Sequence, residues 1–174
     1  MLAQSFVGAS VRFRDRFLVR RAIELRDIRK RRAKKEAFVL EYDDVWVVFD
    51  LEKPNDIRRE LARRAIDYGK PQRINFAVSD PCFEYWLLLH IHYTTAAFFE
   101  CNDVITQLKA RWGSYEKGKY LPPDLFENSL TAVQHAERCR RDYAKTGGGP
   151  TTAIDLILRS LNNATRSHLR IQLD

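Results

Sequence analysis

The chain has 174 residues, 45% apolar and 30% charged, a composition that excludes a disordered protein and allows one domain with a sizeable core. Its net charge of +7 points to a polyanionic partner, and no apolar run is long enough to span a membrane. No secretory signal is read at the N-terminus, and Cys82, Cys101 and Cys139 are odd in number and widely spaced. That fits a reducing cytoplasm, excludes a CxxC metal pair, and leaves the cysteines as small buried filler.

In chain order, residues 1–13 carry Phe6-Val7 and then Val11 and Phe13, the pattern of an edge strand or a frayed terminus. From about Asp15 to Phe38 the spacing predicts a helix, with Phe17, Leu18, Ile23, Leu25 and Ile28 as its apolar face. Between Val11 and Lys35 stand twelve Lys or Arg against three acids. Such density suits a nucleic acid, with Arg29, Arg31, Arg32, Lys34 and Lys35 as candidate contacts. The alternative is a solvated helix face with an arm packed on an acidic partner protein.

Val45-Trp46-Val47-Val48-Phe49 is a continuous apolar run, read as a strand buried on both faces. Asp50 and Glu52 follow at its carboxyl end, where ligands gather in parallel sheets. Two acids one residue apart can share a hard cation such as Mg²⁺. The plainer alternative is that Asp50 caps the next helix and Glu52 is a solvated loop residue. Asn55 or Asp56 can cap a helix running to Tyr68, with Ile57, Leu61, Ala65 and Ile66 inward and Gly69 as its stop. Residues 74–78 form a second candidate strand, so 45–78 has the size of one βαβ crossover.

Ser79 or Asp80 can cap a third, strongly apolar helix, with Pro81 in its first turn. Glu84 is then either a favourable charge at a helix N-terminus or a further acid beside Asp50 and Glu52. His90 and His92 cannot share a helical face and read as structural. Asn102 can cap a helix over 103–112. The loop 113–120 sets Lys117 and Lys119 between tyrosines, a pattern suited to nucleic acid though common in plain linkers. Pro122-Pro123 opens a helix to about Ala144, with Leu125, Phe126, Leu130, Val133, Ala136 and Tyr143 inward. Gly147-Gly148-Gly149 reads as a hinge, because no lysine follows to complete a phosphate loop. Thr151 or Thr152 caps a last helix bearing Ile154, Leu158 and Leu161. The expected architecture is one α/β domain with a small, mainly parallel sheet flanked by helices. Residues 1–40 form its basic helical region, 41–112 the sheet core and 113–174 the C-terminal helices.

Residues 44–52 and 77–90, Asp44 through Glu52 and Ala77-Val78-Ser79-Asp80-Pro81-Cys82-Phe83-Glu84 through His90, closely resemble the RloB-like family. Tyr115-Glu116-Lys117 and Pro150-Thr151-Thr152 look similar too, and the resemblance covers roughly residues 40–162. It implies a Toprim-like domain in a bacterial or archaeal phage-defence or restriction-linked operon, often paired with an ATPase. The implied activity is phosphodiester cleavage with Mg²⁺ or Mn²⁺. By position, the family's Asp-x-Asp pair falls on Asp50 and Glu52. Its Asn-Pro-x-Phe-Glu falls on Asp80 to Glu84, so Asp50, Glu52 and Glu84 are the implied catalytic acids and Asp50, Glu52 and Asp80 the implied metal ligands. The family's opening strand and Glu-Gly turn find no match, since Glu24 and Glu41 follow no apolar strand with a glycine. That implies impaired catalysis and keeps open a second reading, a non-catalytic subunit that binds nucleic acid or an ATPase. Homo-oligomerisation is left open as well.

Overall fold

The computed structural model describes residues 5–7, 15–113, 115–119, 125 and 127–171. The described elements run β1 (Ser5–Val7), α1 (Asp15–Ala33), β2 (Val45–Asp50), α2 (Asp56–Gly69), a 3₁₀ turn (Lys70–Gln72), β3 (Asn75–Asp80), α3 (Phe83–Ile91), α4 (Cys101–Arg111), α5 (Ser129–Thr146), β4 (Thr151–Thr152) and α6 (Ile154–Ile171). The fold is α/β. Its sheet has the strand order β1-β2-β3-β4. β1 lies parallel to β2, with Phe6 opposite Trp46. β3 and β4 are antiparallel, with Ser79 opposite Thr152, so the sheet is mixed. Of the two readings of residues 1–13, an edge strand or a frayed terminus, Ser5–Val7 takes the strand. No acid stands among residues 1–14.

The chain divides into two compact units, each drawn from separate stretches of sequence: Met1–Phe49, Arg59–Ala77 and Leu156–Asp174, and then Asp50–Arg58 with Val78–Asp155. In the first unit, Val45, Val47, Phe49, Ile74 and Ala77 are buried, and β2 alternates little because both its faces are covered. The buried stripe of α1 is Asp15, Leu18, Val19 and Ala22, a strict i, i+3, i+4, i+7 set. Of the expected face Leu18 is buried, whereas Phe17 is 62% exposed and Ile28 37%. The helix also stops at Ala33 rather than Phe38, where Arg29 Nε donates to the Leu40 carbonyl at 2.6 Å and holds the returning chain.

In α2 the buried residues are Ala62, Ala65 and Gly69, whereas Ile57 is 74% exposed. Gly69 is not a left-handed helix stop. Its backbone is right-handed, and a Cβ there would lie 2.5 Å from Phe76 Cζ and 2.8 Å from Val19 Cγ1. Glycine is needed for close approach.

The second unit is centred on α3, where every residue from Glu84 to His90 is buried. A helix apolar all round has no solvent face to keep, and α3 packs against α4 and α5. Tyr85 fixes it by donating its hydroxyl to the Thr94 carbonyl at 2.6 Å. In α5 the inward positions are Ala132, Ala136 and Cys139, and Leu130 is 79% exposed. Leu125 is buried as expected, and Phe126 lies outside the described residues. Gly147 closes α5 in the left-handed region, its N–H reaching the Tyr143 carbonyl. Asp155, fully buried, receives both terminal nitrogens of Arg140 at 2.5 and 2.7 Å.

Candidate metal and catalytic site

Asp50 to Arg58 and Val78 to Asp155 share one unit, so the acidic residues singled out by sequence all belong to it. Asp50 ends β2. Its carboxylate accepts the backbone N–H of Phe83 at the start of α3, one of the donors a helix leaves unpaired at its first turn. The expected caps, Ser79 and Asp80, do not hold that position; the chain enters α3 through Cys82, which makes no side-chain cap. Asn55 does cap α2, its Oδ1 accepting the Arg58 N–H at 2.8 Å. Arg58 in turn donates to the Asp50 carbonyl at 2.7 Å.

Burial pushes the Asp50 carboxyl up to about 6, with Glu84 and then Glu52 adding in the same direction, against the Phe83 N–H and Lys117. Glu84 is therefore close enough to repel it. Glu84 sits in the first turn of α3 and is only 4% exposed. Its Oε1 accepts the Tyr115 hydroxyl at 3.1 Å and the Lys117 ammonium at 3.2 Å. Its Oε2 lies 3.3 Å from Cys101 Sγ. The Glu84 charge raises the Tyr115 hydroxyl pKa, after burial as the larger cause.

Glu52 takes a different course. Its φ is +60°, left-handed and strained for a residue with a side chain. Its N–H donates to the Pro81 carbonyl at 2.6 Å, and its own carbonyl accepts the Cys101 N–H at 3.1 Å. The backbone of Glu52 thus ties the end of β2 to the start of α3 and of α4, while its side chain is exposed. Asp80 ends β3, is buried, and pairs in register with Thr151.

Asp50 lies within electrostatic range of Glu84 and of Lys117, and Lys117 is paired with Glu84. Asp50, Glu52 and Asp80 do not converge as a triad. Among the described residues, the group of three potential ligands within 4.8 Å of one another is Cys82, Glu84 and Cys101. Cys82 and Cys101 are joined as a disulfide, which corrects their reading as inert filler. No sequence spacing announces a pair 19 residues apart. Cys139 is free and buried, as expected of filler. His90 is structural, its Nδ1 2.9 Å from the Trp86 carbonyl. α4 is capped not by Asn102 but from Asp103, whose Oδ2 accepts the Phe99 and Glu100 N–H groups at 2.8 and 3.1 Å. Tyr115 is not among the site residues expected from the sequence, although Tyr115-Glu116-Lys117 is one of the segments that resemble the family; nothing in an aromatic of a polar loop says that it will be buried on a carboxylate.

Of the basic candidates, Arg29 stacks over Tyr42 and holds Leu40, and Arg32 pairs with Glu36. Arg31, Lys34 and Lys35 are exposed and make no ion pair with another described residue. All five lie in the first unit. In the second, Lys119 pairs with Glu116 at the surface and Lys117 with Glu84.

The molecule is thus an α/β protein with carboxylates gathered at a strand tip and a helix N-terminus. The chain belongs to the RloB-like family: the family model for an RloB-like protein matches residues 14–161. No curated protein matches the chain. No solved structure matches it either. No described helix is long and apolar enough to cross a membrane.

Proposed function

We propose that this RloB-like protein is a Mg²⁺- or Mn²⁺-dependent phosphodiester-cleaving protein with a Toprim-like site, in which Asp50 and Glu84 hold the cation. The observation that carries the reading is that the half-buried Asp50 carboxylate accepts the Phe83 N–H at the start of α3, within electrostatic range of the buried Glu84. Two acids within range of each other in a partly desolvated place fit a hard cation, since Mg²⁺ is commonly bound through one or two carboxylates and keeps several waters. A bound cation would neutralise charge at the scissile phosphate and lower the pKa of a water. Glu52, two residues past β2, and Asp80, at the end of β3, are more distant acids that do not join Asp50 as ligands. Tyr115 and the Phe83 N–H orient the Glu84 and Asp50 carboxylates, and Lys117 offers a positive charge to an incoming phosphate. In the first unit, Arg31, Lys34 and Lys35 have the free charge to draw in nucleic acid. A role in prokaryotic defence beside an ATPase rests on the family resemblance.

The test is cleavage of single- and double-stranded DNA and RNA with Mg²⁺ and Mn²⁺, wild type against Asp50→Ala. Metal-dependent cleavage lost in the variant supports the reading, and equal cleavage by both removes Asp50 from the mechanism. A second reading, a non-catalytic docking subunit, is favoured by the pairing of Glu84 with Lys117. It predicts salt-sensitive nucleic-acid binding with no metal-dependent cleavage.

A further inference from the structure

We propose that Cys82, Glu84 and Cys101 form a second, thiol-gated cation site, closed while the cysteines are joined and open to Zn²⁺ once they are reduced. Their ligand atoms already lie within 4.8 Å of one another. Two thiolates and a carboxylate with one open position make a donor set suited to zinc rather than magnesium. In a tetrahedral zinc site with the usual bond lengths, sulfur and oxygen ligands stand about 3.6 Å apart. Glu84 Oε2 and Cys101 Sγ are 3.3 Å apart.

The carboxylate is also held in the right sense. Tyr115 and Lys117 both bind Oε1, which leaves Oε2 toward the sulfur, the outer-shell orientation that metal ligands need. Charge balances as well. Two thiolates, one carboxylate and Zn²⁺ sum to −1, and the Lys117 ammonium, 3.8 Å from Cys101 Sγ, brings the total to zero. Cys82 and Glu84 are buried and Cys101 only half-buried, so an ion has a side from which to enter.

Opening requires a dithiol reductant. It gives two electrons and two protons to the Cys82–Cys101 bond, yielding two thiols and the oxidised dithiol. The cation then displaces both thiol protons to solvent. The site shares Glu84 with the proposed Mg²⁺ pair but does not depend on cleavage.

The experiment is a Co²⁺ titration of the full chain, followed by the thiolate-to-cobalt charge-transfer absorption. One sample is oxidised; the other is reduced with a dithiol and freed of it without air. The reduced protein is expected to develop the band, saturating at one Co²⁺ per chain, and Zn²⁺ to erase it; the oxidised protein is expected to develop none. Cys139→Ser should keep the band, and Cys82→Ser and Cys101→Ser should lose it. A reduced wild type without the band overturns the proposal, and that comparison needs no variant to fold. So does a band that survives in both Cys82→Ser and Cys101→Ser. Cleavage without a thiolate band would remove this site and leave the Mg²⁺ reading standing; a band without cleavage would do the reverse.

Discussion

The Lys117 ammonium lies 3.2 Å from Glu84 Oε1, an exposed side chain reaching a carboxylate whose own side chain is only 5% exposed. With the Tyr115 hydroxyl on the same oxygen, the loop that carries Lys117 supplies both partners of this buried carboxylate oxygen. Lys117→Met should therefore destabilise the fold by about 1–3 kcal/mol, the usual penalty for stranding a buried polar group. The double variant with Glu84→Gln should recover part of that loss. Thermal midpoints of the two singles and the double measure the coupling, and strict additivity would mean that the ion pair contributes nothing.

Asp50 gives a pH signature. Its folded pKa of about 6 lies above the ordinary aspartate value of 3.8, so the folded state binds the proton more tightly than the unfolded one. The sign follows: the raised pKa costs stability in full above pH 6, and the cost fades as pH falls towards 3.8. The difference corresponds to about 3 kcal/mol at neutral pH. Asp50→Asn keeps an acceptor for the Phe83 N–H and removes the charge. It should be more stable than wild type at pH 8 and lose that advantage by pH 4, as read from urea midpoints. A pH-independent difference would contradict the assignment.

How far the sequence could be read depended on whether one local pattern had one structural meaning. The runs at 45–49 and 74–78 read as strands, and both places carry one, although β3 runs from Asn75 to Asp80 and is only half-buried at Asn75, Phe76 and Val78. Helix phase was harder. Phe17, Ile57 and Leu130 are apolar yet exposed at 62, 74 and 79%, while Ala22, Ala62 and Ala132 face inward beside the expected Ala65 and Ala136. Close packing had chosen small residues over large ones, and hydrophobicity alone weights them the wrong way round. At the site, the acids were visible because charged residues after a buried strand are unusual. Tyr115, 31 residues from Glu84, and the Cys82–Cys101 pair were not, since their meeting is set by tertiary structure.

Gly69 shows the same preference for small residues. Its backbone is ordinary helix, so alanine would gain intrinsic propensity of about 1 kcal/mol. The added Cβ would however meet Val19, fully buried and β-branched, at 2.8 Å. Gly69→Ala is expected to destabilise by about 1–3 kcal/mol, measured as a fall in the denaturant midpoint at constant m. A stabilised variant would mean that Val19 and Phe76 can move apart freely.

Arg140 and Asp155 form the other buried pair, closed by two hydrogen bonds and joined by Arg140 to the Thr152 carbonyl at 2.5 Å. Arg140→Ala should cost about 3–5 kcal/mol, because it takes the guanidinium from a fully buried carboxylate. Loss of less than a third of that in equilibrium unfolding would place the pair among the weak surface contacts.

The most direct measurement is a Mn²⁺ titration of the oxidised protein, in which the thiol site is closed, by calorimetry on wild type, Asp50→Ala and Glu84→Gln. If Asp50 and Glu84 hold the cation together, wild type binds one Mn²⁺ per chain, Asp50→Ala binds none, and Glu84→Gln binds at least tenfold more weakly. An affinity unchanged by Asp50→Ala would contradict the account.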